Sequence, residues 1–275
     1  MPFRDLLVAL NSYPEATPVS AAEDAVAVAA ALGARLAAIL CQSHVEVPWR
    51  FVATPMVEEI IAGEAARSRE NAAELLAAFE AAAEKAGIPH EAIHEECLTL
   101  EIPDLLVEYA RLHDLTIVPA SSDPWFAEAV IFGSGRPTLV LPASLKRRPF
   151  RIGTVAVAWD FSRAAARAVA DAMPILERAT SVRIVTVINE KALHTRRSGA
   201  ELAKNLSRHG LDVVLDQIDA GGSPIGEVLE SWTSAQSADL LVMGAYGHSK
   251  WREFVLGGAT RSLLSKPPLP ILFSH

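Results

Sequence analysis

Short apolar runs alternate with longer amphipathic ones along the whole chain, and this alternation predicts the architecture before any single residue is considered. Asp5–Leu10 ("DLLVAL") has the continuous apolar character of a strand buried on both faces. Ser20–Gly33 follows with helical spacing. Ser20 is the expected N-cap, Glu23 its capping-box partner, and Gly33 the C-terminal stop. Arg35–Gln42 predicts a second strand, about Met56–Gly87 a long Ala/Glu-rich helix, and Ala92–Leu100 a third strand. Ile102–His113, with Pro103 near its start, predicts a helix; Leu115–Ser121 and Pro137–Ser144 predict two further strands.

The second half repeats this order. Strands are predicted at 153–160, 181–189, 212–219, 239–245 and 268–275, and helices at 162–180, 198–210 and 223–238. Ser223 is the expected N-cap of the last of these, with Pro224 at its first helical position. The repetition extends to residues: "HDLTIVPAS" (113–121) answers "ADLLVMGAY" (238–246), and "RDLLVALN" (4–11) answers "IGTVAVAWD" (152–160). Between the halves runs the basic, proline-bounded stretch "PASLKRRPFR" (142–151). An internal duplication predicts two doubly wound α/β domains, 1–143 and 150–275, each a five-stranded parallel sheet with helices on both faces.

Composition narrows the function classes. In 275 residues, 51% apolar, no run is long enough to span a bilayer, and the first residues lack the pattern of a signal peptide. Cys41 and Cys97 match no metal or redox spacing and sit in apolar, strand-like surroundings. Buried reduced thiols and a cytoplasmic location are the expectation. The net charge of −8 divides unevenly. Residues 1–145 hold 8 Lys/Arg against 21 Asp/Glu, net −13, whereas 146–275 hold 17 against 12, net +5. Nucleic acid and membrane are not expected partners; a small anion on the C-terminal half is compatible, as is a plain difference between solvated surfaces.

Candidate chemistry concentrates in "MGAYGHSKWREFVLGGAT" (243–260). Gly244 and Gly247 directly follow the fourth strand of the second half, at the sheet edge where open α/β folds take ligands. Gly257, Gly258, Ala259 and Thr260 then open a helix whose free N–H groups suit a phosphate, with the Thr260 hydroxyl as a further donor. A set of turns holding no ligand is the competing reading. The stretch is not a Walker A loop, because no Gly-Lys-Ser/Thr follows, nor a dinucleotide fingerprint, because it follows the fourth strand rather than the first.

This stretch resembles the nucleotide-binding signature of the universal stress protein family, G-x2-G-x9-G-(S/T). Gly244, Gly247 and Gly257 are in register with it, and "VAVAWDFSRAAARAV" (155–169) resembles the family's first strand and helix. The resemblance covers essentially the whole chain as a tandem pair, and implies the adenine nucleotide alpha hydrolase-like fold with pairing through the last strands. It implies that ATP, alone or as its Mg2+ complex, is bound by the second half. Asp160 and Val187 would hold the adenosine, and Gly244, Gly247, His248, Gly257, Gly258, Ala259 and Thr260 the phosphates. Gly258 departs from the pattern, standing where the signature has Ser or Thr.

In the first half the aspartate position is Asn11, and no G-x2-G follows "TIVPAS". Pro137 leads almost at once from "FGSG" into the last strand, so no room is expected for a phosphate-capping helix. One site per chain follows, with the first half as its partner surface.

No paired carboxylates, nucleophile or positioned base accompanies Asp160, so hydrolysis is not expected. His44, His94 and His113 lack metal-ligand spacing. Trp232 and Trp251 read as packing residues, and Trp49 and Trp125 as loop residues of the first half. The functional expectation is a non-catalytic ATP-binding stress or signalling module; a nucleotide-independent scaffold is the alternative, and a homodimer of whole chains is compatible with either.

Overall fold

The computed structural model describes residues 2–44, 55–121, 123–143, 145, 150–188, 198–245 and 258–275. The first half runs β1 (Asp5–Asn11), α1 (Val19–Leu32), β2 (Arg35–His44), α2 (Pro55–Ala86), β3 (His90–Leu98), α3 (Ile102–Leu112), β4 (Leu115–Pro119), α4 (Trp125–Gly133) and β5 (Thr138–Leu141). The second runs β6 (Thr154–Ala158), α5 (Arg163–Leu176), β7 (Ser181–Ile188), α6 (Gly199–Ser207), β8 (Val213–Asp219), α7 (Ile225–Ala235), β9 (Leu240–Gly244), α8 (Gly258–Ser265) and β10 (Ile271–Ser274).

All ten strands form one sheet in the order β3-β2-β1-β4-β5-β10-β9-β6-β7-β8. Each half is parallel within itself, and the halves meet at an antiparallel seam pairing Val140 with Ile271, Leu139 with Leu272 and Thr138 with Phe273. The last strands therefore do meet within the chain, as the resemblance implied.

The continuous apolar character of the central strands has its cause in helices on both faces. α1, α2, α5 and α6 cover one face, burying Phe79, Leu6, Leu40, Ile175 and Ile184. α3, α4, α7 and α8 cover the other, burying Ile39, Ile102, Val130, Leu241 and Phe273. Only the edge strands β3 and β8 alternate, since one side of each meets solvent.

Three local expectations are corrected. α1 begins at Val19 after Pro18, and no side chain caps it, so Ser20 lies inside the first turn and not at the cap. The Ala21 N–H instead donates to the Pro18 carbonyl at 2.8 Å, so backbone takes up one of the first-turn donors that a cap would serve. α7 begins at Ile225 with Pro224 in the cap position, one residue later than Ser223 would place it. Finally, a helix does occupy the first half between β4 and β5: α4 starts at Trp125, ahead of "FGSG" instead of after it. Trp125 is accordingly a helical residue, 39% exposed, stacked on Phe126. Trp232 is buried as expected, with the Arg183 guanidinium 6.0 Å over its ring. Trp49 and Trp251 lie outside the described residues.

The cysteines are closer than their sequence separation suggests. Cys41 pairs with Glu95, and Ser43 with Cys97, on adjacent parallel strands, so both cysteines lie on one face and their thiols interact. Cys41 is buried and Cys97 half-buried. His113 is satisfied by the Tyr109 carbonyl at 2.8 Å and His94 by Gln42 Oε1 at 3.1 Å. Among the described residues no helix is long and apolar enough to cross a membrane, and no three His, Cys, Asp or Glu side chains gather as a metal would require.

Candidate functional site at the carboxyl edge of the second half

Within the second half the strand order β8-β7-β6-β9-β10 reverses its winding between β6 and β9. At such a switch point the two chains leave the sheet toward opposite faces and open a crevice. Register places the sequence-predicted residues there. Val157 pairs with Val242 and Ala158 with Val185, so Asp160 emerges just past the last pairs, beside the end of β9 and level with Val187.

Asp160 is exposed, and its Oδ1 accepts the Ser162 N–H at 2.9 Å. Ser162 then caps α5, its hydroxyl accepting from the Ala165 N–H at 3.0 Å. Between them Phe161 has φ +62°, a left-handed conformation costly for a bulky residue. Its ring packs edge-on against Trp159, centroids 5.4 Å apart, which helps hold the reversal. The tight Asp160–Ser162 turn thus keeps a carboxylate at the mouth of the crevice and starts α5 immediately.

Val187 contributes through its backbone. The Val185 carbonyl accepts from the Trp159 N–H at 2.8 Å, so the peptide groups of Val185 point toward β6. Two residues further on, strand alternation aims those of Val187 the same way, beyond the point where β6 has ended. Its side chain is half-buried against the core shared with α7 and α8.

Gly244 has a packing reason. A Cβ built there would lie 2.4 Å from the Ala164 carbonyl carbon and 2.4 Å from the Ala165 nitrogen, both backbone atoms of the first turn of α5. The glycine lets the N-terminus of α5 sit directly on the end of β9. Ala245 follows, fully buried, its N–H donated to the Ser274 carbonyl at 2.8 Å and its carbonyl 3.1 Å from His275 Nδ1.

On the far side of the crevice α8 begins at Gly258, as the sequence suggested, and Leu263 and Leu264 anchor it in the core. Ala259 lies in its first turn. Thr260 is only 4% exposed, so its side chain packs inward. Gly247, His248 and Gly257 lie outside the described residues. The structure therefore brings Asp160, Val187 and Gly244 to one edge of the sheet, with α8 opening at Gly258 after β9.

Sequence reasoning did not single out Ser162 or Trp159. A serine ahead of "RAAARAV" was a readable cap signal. The Trp159 indole N–H, buried and without a partner among the described residues, could be found only in three dimensions.

At the equivalent edge of the first half, Asn11 is held within the turn that follows β1. The Asn11 N–H donates to Thr17 Oγ1 at 2.9 Å, its side-chain amide donates to the Glu15 carbonyl at 3.1 Å, and its carbonyl accepts from the Thr17 N–H at 2.8 Å. Ser12 and Ser68 hydroxyls meet at 2.9 Å, and Asn71 donates to the Ser12 carbonyl at 3.1 Å, tying the turn after β1 to α2.

Comparison with known proteins places this geometry. Residues 152–275 match the model of the universal stress protein family. No curated protein matches the sequence. Among solved structures, a universal stress protein from Archaeoglobus fulgidus shares the fold with a TM-score of 0.71 at 15% identity, over 98% of this chain and 95% of that one. A Pseudomonas aeruginosa protein described as a universal stress protein follows at 0.58 and 13%, over 99% and 93%. A functionally unknown protein from the same species stands at 0.56 and 12%, over 99% and 92%. The second half, residues 152–275, thus matches the universal stress protein family in sequence, and the chain over its full length shares the fold of solved universal stress proteins.

Proposed function

We propose that the second half binds an adenine nucleotide, ATP, at the carboxyl edge of its sheet, and that the chain works as a nucleotide-responsive stress or signalling module without catalysing a reaction. The chain divides in this reading into domains at 1–143 and 150–275, with the intact site in the second. The observation that carries it is the convergence at the switch point of an exposed carboxylate, a strand end with outward-directed peptide groups, and a helix opening at Gly258. Asp160 receives the ribose, and the Val187 backbone receives the adenine edge. Gly247, Gly257, Gly258 and Ala259 offer N–H groups to the phosphates, which the start of α8 favours electrostatically. His248 adds a donor from the same stretch. Gly244 serves indirectly, by letting α5 close against β9. ATP brings its own charge to the site, and Mg2+ arrives with the phosphates, since among the described residues no cluster of acidic side chains gathers to hold a metal.

The inward packing of Thr260 favours a second reading, in which the chain is a scaffold independent of nucleotide. Titration calorimetry with ATP, with and without Mg2+, separates the two. The expected outcome is saturable binding by the natural protein, about tenfold weaker binding by Asp160→Ala, and none detectable by Gly247→Val. Equal binding by natural protein and Gly247→Val removes the site assignment. No binding, together with no nucleotide copurifying by mass spectrometry, selects the scaffold.

A further inference from the structure

One helix of the first half ends beside the edge of the sheet that carries the proposed site of the second. The antiparallel seam sets the amino edge of the first half's sheet beside the carboxyl edge of the second. α4, crossing back from β4 to β5, must finish at that amino edge. Its last turn therefore arrives where β9 and β10 end.

The contact is specific. Phe132 sits edge-on to His275, ring centroids 5.0 Å apart and planes at 79°. His275 Nδ1 lies 3.1 Å from the Ala245 carbonyl, the last described group before residues 246–257. The end of α4 is itself pinned: a Cβ on Gly133 would lie 2.8 Å from Val107, and the Arg111 guanidinium donates to the Gly133 carbonyl at 3.0 Å. One turn earlier, burial pushes the Glu128 carboxyl up, and the Arg261 guanidinium, in α8, is close enough to oppose part of that rise. So α4 reaches described groups on both sides of the stretch between β9 and α8.

We infer that α4 positions the nucleotide site of the second half, with Phe132 and His275 as positioning residues that fix the Ala245 carbonyl without touching ligand. The inference rests on the nucleotide reading above. It also gives the first half a task in the site of the second. Phe132 is 40% exposed, so truncating it leaves the fold intact.

Two measurements test the role. In calorimetry with ATP, Phe132→Ala and His275→Ala each weaken binding about three- to tenfold, the scale of an aromatic pair. Phe132→Tyr keeps the ring and His275→Asn keeps a donor near Nδ1, so both retain affinity. The double alanine variant loses no more than the worse single one, because both act on one carbonyl. In hydrogen exchange without nucleotide, peptides over 240–245 and 258–265 exchange about threefold faster in Phe132→Ala than in the natural protein. If the natural protein binds no ATP, the nucleotide reading falls while exchange alone judges the contact. Unchanged exchange, or ATP binding by Phe132→Ala at natural affinity, overturns the positioning role.

Discussion

Gly244 shows how far one residue can be read from its neighbours in sequence. Its place after an apolar strand marks a position where something approaches the backbone closely. Whether that something is a ligand or a helix is settled only by the crossover, and here the nearest atoms belong to the backbone of α5. Backbone at the root of a helix cannot swing aside as a flexible side chain would. Gly244→Ala is therefore expected to destabilise the protein by about 3 kcal/mol in chemical denaturation, the upper range for overpacking. A loss below about 1 kcal/mol would mean that α5 shifts at little cost. Phe161 is the opposite case: nothing in "WDFSR" announces a left-handed phenylalanine, since the conformation follows from joining β6 to α5 in so few residues. Asp160 was singled out by the resemblance of residues 155–169 to a family's first strand and helix, whereas the Phe132–His275 contact joins halves 143 positions apart and has no local signature.

At the scale of elements, β2, β3 and α3 bring together groups that hold their protons. Burial pushes up the Cys41 thiol, already fully inside the core, and also the half-buried Cys97 beside it. The Tyr109 hydroxyl, donating to Glu95 and further hindered by burial, is pushed up to about 12. All three folded-state values exceed the unfolded ones, so above the unfolded thiol value of 9.0 the unfolded chain releases protons that the folded one keeps. The folded state then binds more protons, and stability falls as pH rises. Urea midpoints should be flat with respect to these groups up to about pH 8.5 and decline from there toward pH 11. Cys41→Ala should flatten part of the decline, and an equally steep slope in that variant would remove the cause assigned to it. The strands and helices of this region were readable because periodicity survives in each segment. Helix starts were less so: "PVSAAED" offers Ser20 and Glu23 as a capping box, but Pro18 ends the preceding chain two residues earlier. α4 escaped the sequence reading because its window, Trp125–Gly133, is apolar nearly all round and carries no amphipathic period.

At the scale of the molecule, the seam between β5 and β10 turns two five-stranded sheets into one. Leu139, Val140, Leu272 and Phe273 have no exposed surface there, and among the described strands the free edges are β3 and β8. Those edges carry acidic residues, Glu91, Glu95 and Glu96 on β3 and Asp216 and Asp219 on β8, which discourage pairing with another sheet. The duplication made two like halves legible, and the family resemblance implied the meeting of their last strands. Its antiparallel sense, by contrast, follows from bringing two like edges face to face. Separating the halves should therefore expose a β10 edge built to be covered. Residues 150–275 expressed alone are expected to form a homodimer in light scattering, β10 against β10, because an isologous antiparallel pair reproduces the geometry that β5 supplies. Phe273→Asp in that fragment would place a charge at the core of the seam and shift it to monomer. The same fragment as a stable monomer with its natural Phe273 would show that the seam contributes little to the second half. The full chain would then owe its single sheet to tethering through residues 142–151, and the contact between α4 and the site would have to persist without the support of β5.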